Sequence, residues 1–155
     1  MIQRIQSIWL FLATCALFAL LLFPYIHILD MDGTTRSVRV TGVYENLNGQ
    51  VVQTEPFLAL TIVTVIVALI PFVIIFFFRN RKLQITLSYI AILLIIGLSF
   101  WTAQVAKAEA GPVSLGLENY GLGVILPPIA ILFMILGLKG IRKDEKLIRS
   151  ADRLR

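Results

Sequence analysis

Four stretches of this chain contain no Asp, Glu, Lys or Arg, and each is long enough to cross a bilayer: Ile8–Ile28, Phe57–Phe78, Leu83–Thr102 and Leu122–Leu138. Together they take up more than half of the 155 residues. A hydrocarbon core about 30 Å thick needs roughly 20 apolar residues at about 1.5 Å rise each, within a usual range of about 17–25. The chain is therefore read as an all-α membrane protein. The expected fold is a bundle of four transmembrane helices at 8–28, 57–78, 83–102 and 122–138, with an outer loop over 29–56 and a tail over 139–155. All of it is expected to form a single integral membrane domain.

The sign of the charge alternates between the segments. Arg4, the turn Arg79–Lys82 and the tail after Leu138 hold 11 of the 14 Lys and Arg, with only Asp144, Glu145 and Asp152 of the nine acids. The two remaining loops hold Arg36, Arg39 and Lys107 against Asp30, Asp32, Glu45, Glu55, Glu109 and Glu118. Short basic loops stay on the cytoplasmic side. Both termini are expected there, with the acidic loops outside. A net charge of +5 in a soluble protein would point to nucleic acid. Here it marks orientation instead, and no nucleic-acid partner is expected.

The first stretch follows a basic residue but is longer than the about 7–15 residues of a signal-peptide core, and no small-residue cleavage site follows it. It is expected to be retained as a helix. The lone cysteine, Cys15, excludes an intramolecular disulfide or a multi-cysteine metal site and is expected to be a small packing residue. The short turn at Arg79–Lys82 makes the second and third helices antiparallel neighbours. Pro71 falls inside helix 2 and Pro127-Pro128 inside helix 4. Each removes a backbone donor and is expected to kink its helix.

The outer loop is the place for an extramembrane fold. Val38, Val40 and Tyr44 suggest strand alternation, Asn48-Gly49 is a strong hairpin turn signal, and Val51–Thr54 supplies a return strand. Asp32-Gly33 is a weaker second turn. A small extracytoplasmic β-hairpin, or a ribbon of two or three strands, is expected on the outer face.

Chemistry-bearing residues are few. His27 is the only histidine and is expected to be an interfacial anchor at the end of helix 1; the intramembrane hydroxyls Thr14, Thr61, Thr64, Thr86, Ser88 and Ser99 have no acid, His or Lys beside them in sequence. No catalytic residue, metal ligand or cofactor is assigned. Without intramembrane ionisable residues a proton-coupled pump is not expected either. Trp9, Tyr25, Trp101 and Phe76–Phe78 sit where an aromatic belt would.

In the tail, Ile141, Leu147, Ile148, Ala151 and Leu154 recur at helical spacing, and Glu145 can pair with Arg149 at i,i+4. A cytoplasmic amphipathic helix is expected. Its cations Arg142, Lys143, Lys146, Arg149, Arg153 and Arg155 are the candidate contacts for a partner protein or for membrane lipid.

The opening Met1-Ile2-Gln3-Arg4-Ile5-Gln6 and the run from Ile141 through Arg142-Lys143-Asp144-Glu145-Lys146 to Arg155 resemble a family of small four-helix bacterial inner-membrane proteins of unknown function. The resemblance implies a bacterial inner membrane, four helices and cytoplasmic termini. It also implies that the two ends share a role, through contact with one another or with a common partner. The function expected is that of a non-enzymatic structural or accessory subunit of a larger inner-membrane assembly. The alternative is a lipid or small apolar-ligand carrier that uses the proline-containing helices 2 and 4.

Overall fold

The computed structural model describes residues 2–29, 35–47, 50–111 and 116–152, with side chains for 5–29, 35–46, 50–111 and 116–147. The elements follow in the order α1 (Ile2–Ala19), β1 (Ile26–Leu29), β2 (Thr35–Arg39), β3 (Gly42–Leu47), β4 (Gln50–Pro56), α2 (Leu58–Phe76), α3 (Arg81–Ala110) and α4 (Leu126–Asp152). Two short 3₁₀ turns, Leu117–Asn119 and Leu122–Val124, precede α4. The helices α2 and α3 and the segment Leu122–Leu147 are long and apolar enough to cross a membrane, and Ile5–Ala19 is a shorter apolar helix.

A 3–4 rhythm selects the inward face of every helix. The buried positions are Gln6, Leu10, Ala13, Leu17 and Leu20 along α1 and just past its end, and Leu60, Thr64, Val67, Pro71 and Ile74 in α2. They are Gln84, Ser88, Ala91, Ile95, Leu98 and Thr102 in α3, and Pro127, Ala130, Met134, Gly137, Ile141 and Asp144 in α4. This is the spacing of helices packed at a shallow crossing angle. The stripes are rich in Ala, Gly, Ser and Thr, which let backbones approach closely. Thr14, Thr64, Ser88 and Thr102 each donate to the carbonyl four residues back, so their hydroxyls are satisfied within their own helices. The other faces carry the large apolar side chains: only 33% of the α2 window and 28% of the α3 window is buried.

The first helix is shorter than its apolar run. Pro24 cannot continue a helix and holds the residue before it extended. The chain leaves α1 through tightened bonds from the Leu20, Leu21 and Leu22 amides to the Leu17, Phe18 and Ala19 carbonyls. Ile26, His27 and Ile28, expected to finish a helix over 8–28, lie in the strand β1 instead, and the His27 side chain is exposed there.

The expected hairpin is a four-stranded antiparallel sheet in the order β1-β2-β3-β4. Ile26 pairs with Val38 and Val38 with Val43, so one buried row crosses three strands and joins the sheet to the helical core. The β3–β4 ladder reaches Leu47↔Gln50. The expected turns at Asn48-Gly49 and Asp32-Gly33 lie outside the described residues. The sheet is fastened to α2 where the Phe57 amide donates to the Thr41 carbonyl (3.1 Å) and the Thr61 hydroxyl reaches the Val40 carbonyl (3.2 Å).

Two further expectations change. Helix α3 continues past Thr102 to Ala110. Pro127 and Pro128 stand in the first turn of α4, where a missing amide costs no intrahelical bond, so they start a helix rather than kink one. Pro71 does lie inside α2, with its ring buried. The tail is no separate helix, because α4 runs unbroken from Leu126 to Asp152. Cys15 is exposed on α1 rather than packed.

Candidate functional site: the basic end of the bundle

Near the chain's two ends, α1 and α4 meet at the outermost buried positions among the described residues. Asp144 continues the stripe of α4 and is 7% exposed; Gln6 continues that of α1 and is 6% exposed. The Gln6 amide Nε2 donates to Asp144 Oδ2 at 2.8 Å. Gly140, one turn earlier, makes room for this, because a side chain there would press on the Gln6 stem. Arg81, in the first turn of α3, brings Nη1 to 3.7 Å from the same carboxylate oxygen. One buried acid thus links three helices. A buried carboxylate needs such partners, since an unpaired charge out of water is strongly disfavoured.

The neighbouring helix ends are closed by side chains too. Gln84 Nε2 donates to the Ile74 carbonyl in the last turn of α2 (3.2 Å). Asn80 caps α3 by accepting from the Leu83 amide (3.3 Å). The turn between α2 and α3 is held beside the Asp144 clasp as a result.

With Asp144 fixed inward, the helical repeat turns the cations outward. Lys139, Arg142, Lys143 and Lys146 are all exposed and, with Glu145, line a depression of about 560 Å³. The Arg142 guanidinium lies 5.1 Å from the centroid of the Tyr89 ring of α3, a cation–π contact that holds it against the bundle. Of the six expected contact residues, the structure therefore gathers Arg142, Lys143 and Lys146 on one surface and adds Lys139. The side chain of Arg149, with Arg153 and Arg155, lies outside the described residues, as does the expected Glu145–Arg149 pair. Four cations on one face suit phosphate or carboxylate groups, with arginine able to bind them in bidentate fashion.

Sequence reasoning missed the clasp. Read as sequence, Asp144 is one of the charges of a tail helix separate from the fourth span. The signal that finds it is phase: the steps from Pro127 to Ala130, Met134, Gly137 and Ile141 land next on Asp144. Gln6 and Asp144 come from the two ends that the resemblance singles out, and they are bonded to one another.

No curated protein matches the chain. A family model described as a domain of unknown function, DUF4293, matches residues 2–154, so it takes in both halves of the clasp, and the chain belongs to that family.

Proposed function

We propose that the protein is a non-enzymatic integral membrane protein of the bacterial inner membrane with both termini cytoplasmic, acting as a structural or accessory subunit of a larger membrane assembly. Membrane placement is supported by the shell of the bundle. Leu93, Phe100, Leu58 and Phe76 are 64–70% exposed there, an apolar surface that a soluble monomer rarely carries. The basic turn and tail support the orientation, since short basic loops stay on the cytoplasmic side. In this reading the last turns of α1 and the residues to Phe23 complete the first crossing.

The single observation that carries the docking role is the unbroken α4. The helix that would span the membrane delivers Lys139, Arg142, Lys143 and Lys146 on a rigid face, and Asp144 fixes which face that is. The partners are membrane lipids and another membrane protein; nucleic acid is not among them. The carrier alternative loses part of its basis, because Pro127-Pro128 open α4 instead of bending it.

The test replaces Lys139, Lys143 and Lys146 by Gln and leaves Arg142 and Asp144 in place. Insertion should persist. Recovery of a stoichiometric protein partner in mild detergent should fall, and the difference from the unaltered chain should be largest at low salt, where exposed charges are least screened. Unchanged partners, or an unaltered chain that purifies alone, would contradict the proposal.

A further inference from the structure

At the opposite end of the bundle the stripe of α3 changes character. Beyond Thr102 its buried positions are Ala106 and Ala110, bearing only methyl groups, and Ala103, Lys107 and Ala110 share the adjoining face at i, i+4 and i+7. Tyr25 and Ile26, at the start of the sheet, and Tyr120 and Val124, ahead of α4, also line the space between. These small walls leave a cleft of about 400 Å³, within the range of about 300–1,000 Å³ usual for ligand sites.

The cleft has a polar wall and a charged lip. Tyr25 is 6% exposed and its hydroxyl lies 2.9 Å from Thr102 Oγ1, so this polar group is already satisfied. Lys107 is exposed, and among the described residues it has no ion-pair partner. The other cations described at this end are engaged: Arg36 pairs with Glu45 at 2.8 Å, and Arg39 lies over the Tyr44 ring. An apolar slot with one free ammonium at its mouth complements a molecule with a hydrocarbon tail and a single negative charge.

Depth selects among such molecules. Helix α3 has 30 residues and is about 45 Å long at about 1.5 Å per residue, against a hydrocarbon core of about 30 Å. With Arg81 and Lys82 at one surface, Lys107 lies near the headgroups of the other.

We propose that this cleft holds one anionic phospholipid of the outer leaflet, with an acyl chain along Ala103, Ala106 and Ala110 and the phosphate on Lys107. The assignment rests on the membrane placement and orientation proposed above, which alkaline-carbonate extraction and cysteine labelling test separately. It does not depend on the accessory role.

The experiment is native mass spectrometry of the full chain in mild detergent with added dioleoyl phosphatidylglycerol or dioleoyl phosphatidylcholine. One phosphatidylglycerol should be retained in preference to phosphatidylcholine. Lys107→Gln should weaken retention roughly tenfold, as expected for loss of a charge-assisted contact. Lys107→Arg should keep it, and Ala103→Phe, which fills the slot, should abolish it. Lys82→Gln, an exposed cation at the far end outside the proposed docking face, should change nothing. Equal retention of both lipids, or undiminished retention in Lys107→Gln and Ala103→Phe, would overturn the assignment. Displacement by glycerol phosphate alone would overturn it too, since a free phosphate would then suffice, as would a second copy of the chain in place of lipid.

Discussion

The two ends of the bundle are joined by different kinds of bond. At the basic end, side chains meet: the Gln6 amide and the Arg81 guanidinium converge on Asp144, and Gln84 and Asn80 close the ends of α2 and α3. At the sheet end the junction is mostly backbone. The Gly121 amide donates to the Tyr25 carbonyl (2.8 Å), the Gly123 amide to the Pro24 carbonyl (3.0 Å), and Tyr120 bridges Ile26. Side-chain junctions depend on a few replaceable groups whose geometry tolerates change. Backbone junctions depend on close approach, and their sensitive residues are the small ones.

The largest effect should therefore come from the sheet end. A Cβ at Gly121 would meet the Pro24 carbonyl, a backbone atom that cannot rotate away. Gly121→Val should destabilise the fold by about 3 kcal/mol, the upper range for overpacking. In detergent it should show as a lower midpoint of thermal unfolding and faster hydrogen exchange at the amides of 25–27. An effect no greater than that of Asp144→Ala would break the comparison.

The clasp comes next. Asp144→Ala removes the acceptor of the Gln6 amide and the counter-charge of Arg81. It should cost about 2 kcal/mol, less than a fully enclosed pair because the Arg81 contact is long and partly exposed. Asp144→Asn can still accept from Gln6 and should cost about half as much. Equal losses for the two variants would assign the clasp to the ion pair and not to the hydrogen bond.

The smallest effect should come from the surface pair Arg36–Glu45, whose side chains are 34% and 20% exposed. Arg36→Ala should change stability by about 0.5 kcal/mol, and less at high salt. A larger loss would mean that side chains contribute more at the sheet end than the contrast allows.

The sequence disclosed the apolar spans because uncharged runs of that length are readable without knowing which face is inside. It hid the packing for the same reason. These helices are apolar all round, so the inward face is marked by Ala, Gly, Ser, Thr and Gln rather than by hydrophobicity, as in Ser88, Ala91 and Thr102 of α3. The apolar run predicts helix through Ile28, three residues into β1, because those residues are as apolar as the ones before them; Pro24 is the available stop signal. The β3–β4 pairing was readable through its turn and its valines, whereas β1 needed the break at Pro24 to be recognised first. At the candidate site the cations were visible as a charge run. Asp144 was not, because its burial follows from treating span and tail as one helix.

The proposed orientation puts these two ends on opposite sides of one membrane, and cysteine labelling tests that proposal most directly. With Cys15 replaced by Ser, a single cysteine goes in place of Val51, which is 63% exposed on β4, or of Lys146, exposed on α4. A membrane-impermeant maleimide should label the Val51→Cys protein in cells whose inner membrane is intact, and the Lys146→Cys protein only after that membrane is permeabilised. Labelling of both before permeabilisation, or of Lys146→Cys alone, would contradict it.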